Sequence, residues 1–219
     1  MSASALHLML STALLAGSAA HAATSSFDAG AEGWISVNND NQPVVWTDFA
    51  IRVDDKSDGW AYLQAPVSFL SPVAAGGVFS FDLRHAYDGL APAYGVRAAL
   101  TGGGFTLIAE AAIPSSAWTR YSFALAEGAG WRSFSDTQQP YRNNAPLASL
   151  ATLTTVLANL TGVYIATDYT DGNIGNGRGL DRTFIDNVAL TAPVPEPQTW
   201  AMFAAGLAAL GWMARRRRT

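Results

Sequence analysis

The chain has 219 residues, a net charge of −4 and no cysteine, so disulfides, thiolate metal sites and a catalytic thiol are all excluded. Positions 23–192 hold nine Arg or Lys against 16 Asp or Glu, a net charge of −7, and an acidic domain of that kind is repelled by phosphates, which excludes nucleic acid as a partner.

The first element is a leader. Leu8 to Ala20 is an apolar run of 13 residues, too short to span a bilayer, and Ala20-His21-Ala22 offers the small residues that a signal peptidase reads. Residues 1–22 therefore read as a signal peptide cut after Ala22, although its n-region has only the amino terminus and His7 for positive charge. Removing it leaves His85 as the sole imidazole, so neither a His-rich metal site nor a two-histidine relay can be assembled.

Residues 23–192 form one domain, in which apolar and polar residues alternate with period two, the mark of strands with one buried face. Val78 to Leu83 and Tyr121 to Leu125 show it plainly; the other predicted strands are Trp34–Val37, Val44–Trp46, Phe49–Val53, Trp60–Ala65, Val96–Leu100, Phe105–Glu110, Val163–Tyr169 and Thr183–Leu190. Asp58-Gly59, Gly76-Gly77, Asp88-Gly89 and Gly102-Gly103-Gly104 supply turns between them. One segment departs from the pattern. Leu147, Leu150, Leu153, Leu157 and Leu160 recur at three and four residues, predicting a short helix opened by Pro146. Many single-faced strands and one helix give an all-β fold, a jelly-roll β-sandwich of two packed antiparallel sheets.

The last segment, 193–219, lies outside that domain. Pro195-Glu196-Pro197 is an extended spacer, 200–214 an apolar run, and Arg215-Arg216-Arg217-Arg218 a cluster that holds the C-terminus on the cytoplasmic side. At 1.5 Å per residue this transmembrane helix reaches only ~22 Å. The run is short for a hydrocarbon core of about 30 Å, and suits processing better than permanent anchoring.

The order of these three parts resembles the PEP-CTERM sorting signal. The resemblance implies that an exosortase recognises the tail, with the chain tethered to the inner membrane by its helix before processing and found at the cell surface or outside the cell afterwards. A second resemblance spans most of the domain. Asp58-Gly59-Trp60-Ala61-Tyr62-Leu63-Gln64-Ala65-Pro66, Phe69-Leu70, Trp118-Thr119-Arg120-Tyr121, Gly130-Trp131, Val156 to Thr161, Tyr164-Ile165 and Ile185-Asp186-Asn187-Val188 follow one another as in the laminin B (domain IV) module. That module is a galactose-binding-like jelly roll, and the likeness implies the sandwich and a tendency toward adhesion or glycan contact.

Residues with chemistry to offer are few. Asp54, Asp55 and Asp58 sit in a turn that needs Asp and Gly for its bend, and no Gly-x-Ser-x-Gly elbow is present, so no catalytic residue is assigned. Trp34, Trp60 and Trp118 fall in strands and are predicted core. Trp131, Tyr141, Tyr87, Tyr94 and Phe134 fall in loops, where a flat ring stacks on a sugar and neighbours such as Arg132, Arg142 and Asp136 give direction; packing on the sandwich rim is the other reading. The jelly-roll likeness also implies a structural calcium ion held by Asp28 and Asp186, which the residues alone fit equally as acceptors of backbone hydrogen bonds at strand ends. No other cofactor is expected. The sequence thus suggests a non-enzymatic surface or matrix-associated protein of structural or adhesive role, with a carbohydrate-binding module for extracellular polysaccharide as the alternative and a carboxylate-based surface glycoside hydrolase as a weaker one.

Overall fold

The alternating runs become strands in the computed structural model, which describes residues 22–56, 60–89, 91–135, 145–171 and 179–193. In chain order they are β1 (Ala22–Ser25), β2 (Ile35–Val37), β3 (Val45–Thr47), β4 (Ala50–Asp54), β5 (Tyr62–Gln64), β6 (Val78–Gly89), β7 (Arg97–Gly102) and β8 (Phe105–Glu110). They continue with β9 (Thr119–Ala124), β10 (Arg132–Phe134), helix α1 (Leu150–Ala158), β11 (Leu160–Ala166) and β12 (Gly179–Thr191). A 3₁₀ turn at Val67–Phe69 follows β5.

These strands make two antiparallel sheets. The first runs β3–β4–β12–β6–β9 and the second β10–β8–β7–β11–β5–β2. On the edge of β12 away from β6, β4 pairs along Arg182–Ile185 and β1 along Val188–Thr191. Between those two partners the register of β12 shifts at a bulge, where Asn187 adopts φ 48°, a left-handed conformation that Asn tolerates well.

Alternation decides what faces inward. Ile51, Val53, Phe79, Phe81, Leu83, Tyr121, Phe123, Ile185 and Leu190 of the first sheet meet Leu63, Ala98, Leu100, Leu107, Ala109, Val163 and Ile165 of the second in one buried cluster. Burying such side chains contributes about 1.5–3 kcal/mol each, and this term holds a chain without cysteine together. The rings of Phe79, Phe81, Tyr121 and Phe123 pack across β6 and β9 with interplanar angles of 29° between the strands.

The jelly-roll β-sandwich with one helix is as expected, and three local expectations are corrected. The helix is shorter than the leucine spacing suggested. Ser149 caps it by accepting from the Thr152 amide at 3.2 Å, Leu147 and Leu150 are exposed, and Leu160 starts β11. Only Leu153, Val156 and Leu157 of the helix are buried, and Gly102 lets it approach β7, since a Cβ there would strike the Val156 and Asn159 carbonyl oxygens. Second, Trp118 is not core. It is 46 % exposed, with the Arg84 guanidinium 5.5 Å from its ring, whereas Trp34 is buried and Trp60 half-buried. Third, β1 and β10 were not anticipated, because Ala22–Ser25 holds no large apolar residue and Arg132–Phe134 holds one. The leader up to residue 21 and the tail from 194 lie outside the described residues.

Candidate functional site

Asp181 enters the sandwich where charge is costly. On β12 it shares inward parity with Thr183 and Ile185, and it is fully buried. Its backbone carbonyl accepts from the Asp55 amide at 2.9 Å, which brings the residue after β4 beside it. The chain leaving β11 then wraps its carboxylate. The amides of Tyr169 (3.2 Å) and Thr170 (3.1 Å) and the Thr170 hydroxyl (3.0 Å) all donate to Asp181 Oδ2. That wrapping delivers Asp168, and oxygens of Asp55, Asp168 and Asp181 lie within 4.8 Å of one another.

Burial sets the protonation of the group. It pushes the Asp168 carboxyl up to about 8, helped by the charges of Asp55 and Asp181 and opposed by Arg97. Burial likewise raises Asp181 to about 7, against the pull of the Tyr169 amide. His85, on the same inward face of β6, is buried as well, and loss of solvent lowers it to about 4. Its Nδ1 lies 3.4 Å from Asp181 Oδ1 without forming a hydrogen bond, and among the described residues neither its Nε2 nor Asp181 Oδ1 has another partner. A buried imidazole held neutral therefore faces the acidic cluster.

Aromatic rings line the same end. Tyr87, 45 % exposed, stacks on His85 with centroids 5.8 Å apart. Tyr94 and Trp60 pack at 5.0 Å, the Arg97 guanidinium sits 4.0 Å from the Trp60 ring, and the Tyr94 hydroxyl donates to Asp171 Oδ1 at 3.1 Å. Arg97 is almost wholly buried and pairs with Glu110 at 2.8 Å.

The residues singled out in the sequence are scattered by the fold. Tyr87 and Tyr94 both reach this end, Tyr87 as an open ring and Tyr94 half-buried. Trp131 does not. It is 2 % exposed, packed on Phe123 and donating its indole N–H to the Ala124 carbonyl at 2.7 Å, so it has no face for a sugar; its position beside the inward Phe123 outweighs its loop context. Arg132 is exposed on β10 and donates to the Ala145 carbonyl at 2.8 Å, away from the carboxylates in sequence and sheet. Tyr141, Asp136 and Arg142, like the sorting residues Pro195, Glu196, Pro197 and Arg215 to Arg218, fall outside the described residues.

Asp28 and Asp186 lie near the bulge of β12, close enough for the Asp28 charge to raise Asp186, whose shift comes first from burial. Three of their four carboxylate oxygens accept a hydrogen bond. Asp28 accepts from the Ser26 hydroxyl at 2.7 Å, and Asp186 from the Asn187 amide at 2.6 Å and side-chain nitrogen at 3.0 Å. Beside them, in an open cleft of about 340 Å³, Arg120 supplies positive charge, donating to Asp82 at 3.2 Å, the Asn187 carbonyl at 3.1 Å and Ser80 at 2.8 Å. Among the described residues, a three-carboxylate cluster forms at Asp55, Asp168 and Asp181; the sequence reading placed Asp55 in a turn and Asp168 near the end of a strand, and gave neither a role. The signal available was parity, since Asp181 continues the inward series of β12 backward by one step.

Fold and site together define a laminin B-like jelly-roll β-sandwich with a buried acidic cluster at one end. Its tail is more specific: residues 193–218 match the PEP-CTERM protein-sorting motif, so the chain carries that signal directly after its last strand. Among solved structures the domain is similar to the L4b domain of human laminin alpha-2, with a TM-score of 0.51 at 12 % identity over 69 % of this chain and 83 % of that one. Looser likenesses are to a family 29 carbohydrate-binding module, a CBM29-2 mutant complexed with cellulohexaose (TM-score 0.42, 12 % identity, 78 % of this chain and 91 % of that one), and to the N-terminal cellulose-binding domain of a Cellulomonas fimi β-1,4-glucanase C (0.42, 12 %, 80 % and 96 %). No curated protein matches the chain.

Proposed function

We propose that this chain is an exported, non-enzymatic β-sandwich that an exosortase sorts to the cell surface or extracellular polysaccharide, where its role is structural or adhesive. The observation that carries the reading is the sorting motif at 193–218, which begins two residues after β12 ends and so leaves the whole sandwich on the outer side of the tail. Burial speaks against a hydrolase. The sole imidazole outside the leader, His85, is 1 % exposed, and Asp55 and Asp181 are 4 % and 0 % exposed, so these groups cannot meet a polymer. Cells with and without their exosortase should be fractionated and the protein followed by intact mass. Loss of a processed surface or secreted form in the deficient cells is the expected result; an unchanged full-length membrane species in both would reduce the tail to a plain anchor.

A carbohydrate-binding role is the second reading, favoured by the aromatic rings gathered at the acidic end. Tyr87 presents an open face, and Trp60, Tyr94 and Asp171 form a polar and aromatic rim close to it in the fold. Binding on a broad glycan array that falls at least tenfold in both Tyr87→Ala and Tyr94→Ala supports it, whereas a blank array removes it.

A further inference from the structure

Asp181 stands near the start of β12, and the other end of that strand is nearly free of charge. Helix α1 lies there with the turns at 72–77, 102–104 and 125–130. The Val73 amide donates to the Leu157 carbonyl at 3.0 Å, the Gly76 amide to the Leu125 carbonyl at 2.7 Å and the Leu150 amide to Glu127 Oε1 at 3.1 Å. Among the described residues, those three turns and segment 147–159 hold one ionisable side chain, Glu127, in a domain with nine Arg or Lys against 16 Asp or Glu. The exposed side of α1 is unusual for a surface helix, whose outer face ordinarily carries charged residues. This helix has none, and Leu150 on it and Leu147 just before it stand exposed.

The path of the chain says what this end meets. β12 finishes here at Thr191, and Pro193 packs on Gly76, 3.4 Å from where a Cβ would stand. Residues 194–199 alone separate Pro193 from the apolar run at 200–214. At about 3.6 Å per extended residue, that spacer reaches roughly 20 Å at most. Strand β12 is itself about 40 Å long at roughly 3.3 Å per residue. A bilayer that takes up the apolar run therefore lies nearer to the α1 end than the sandwich is long.

We infer that the α1 end is the membrane-facing surface of the sandwich, resting on the lipid bilayer that holds the tail before processing. The inference rests on the reading of that tail as membrane-inserted. Charge fits the occupant. Anionic headgroups repel carboxylates, and at physiological salt their field fades over a Debye length of about 8 Å. The acidic cluster, at the far end of β12, stands several such lengths away. Arg132, bridged to Leu147, has the sign that anionic headgroups attract. Leu147 and Leu150 enter the headgroup layer without drawing a charge in with them. Two leucines bury too little to hold a membrane alone, but the short spacer makes the contact intramolecular and so raises its effective concentration. Tyr87, paired with Asp181 at the other end, is then left facing away from the cell.

The test uses the full chain, which has no cysteine of its own, in vesicles of phosphatidylcholine with phosphatidylglycerol. A bimane label is attached in separate variants: Thr154→Cys on α1, Asp88→Cys near the far end and Gly206→Cys in the apolar run. Thr154 and Asp88 are exposed, so neither label disturbs the core. Lipids bearing a nitroxide on the headgroup should remove most of the emission at position 154 and leave position 88 unchanged, and a nitroxide on the acyl chain should quench position 206. Equal headgroup quenching at 154 and 88, with 206 still quenched, overturns the membrane-facing end and leaves the tail inserted. An unquenched label at 206 overturns the reading of the tail, and the membrane-facing end falls with it.

Discussion

The Nδ1 of His85 faces the Oδ1 of Asp181 across 3.4 Å, with both side chains withdrawn from solvent. Each is held toward its neutral form by burial, the imidazole lowered to about 4 and the carboxyl raised to about 7. The pair is therefore a pH-dependent element of the fold.

Its consequence is a stability that falls as pH rises. Asp168 and Asp181 titrate near 8 and 7 in the folded protein against an ordinary 3.8, so between about pH 4 and 8 the folded chain binds more protons than the unfolded one. Their contribution is complete at the acid end and is lost as pH climbs through the folded values. His85 works the other way below 6.5, where only the unfolded chain takes up its proton, but it is one group against two. In EDTA the Tm of the full chain should fall between pH 5.5 and 8, and Asp168→Asn should flatten the slope. A Tm that rises across that range would sink the assignment.

Trp131 and Tyr87 should separate cleanly on truncation. Trp131 is 2 % exposed and its indole N–H is satisfied by Ala124, so Trp131→Ala opens a cavity and should cost about 3–5 kcal/mol. Tyr87 is open to solvent on one face, so Tyr87→Ala should stay within about 1 kcal/mol. Urea unfolding of both variants checks the contrast, and similar losses in the two would contradict the burial.

Arg120 is the counter-ion of the bulge. It bridges Ser80, Asp82 and the Asn187 carbonyl while the charges of Asp82 and Asp28 press on Asp186. Its side chain is 47 % exposed, so the pairing is screened and Arg120→Ala should cost only about 1 kcal/mol at low salt. The difference from the unsubstituted chain should shrink at 0.5 M salt. A loss that ignores salt would mean that the guanidinium acts by packing on β6 and β9 instead.

The sandwich was legible because its evidence is repetitive. Phe79-Ser80-Phe81-Asp82-Leu83 states its buried face three times over, and β12 does so along Thr183, Ile185 and Leu190. The acidic site was not legible, because each of its members has a local excuse. Asp55 reads as turn material before Gly59, and Asp168 and Asp181 bracket a Gly and Asn tract that looks like loop. Only the pairing of β4 and β11 with their neighbours brings the three together, and pairing between strands 58 to 134 residues apart leaves no mark in one sequence. Trp131 failed for the opposite reason: its neighbours in the chain are loop-like while its neighbours in space are Phe123 and the core.

The start of β1 makes a prediction about export. Ala23, Thr24 and Ser25 pair with Leu190, Ala189 and Val188, so the residues that follow the expected cut after Ala22 are a working edge of the first sheet. Ser25 also accepts the buried indole N–H of Trp34 at 2.9 Å, in the ring cluster with Phe27 and Phe69. A signal peptidase that cut beyond Ser25 would remove this strand and leave that donor unpaired, a loss of about 1–3 kcal/mol before the strand's own hydrogen bonds are counted. The exported protein should therefore begin at Ala23 by intact mass and N-terminal sequencing. Deleting Ala23 to Ser25 from a chain that retains the leader should lower the Tm of the exported product, and a product that starts past Ser25 yet melts unchanged would show that β1 is dispensable.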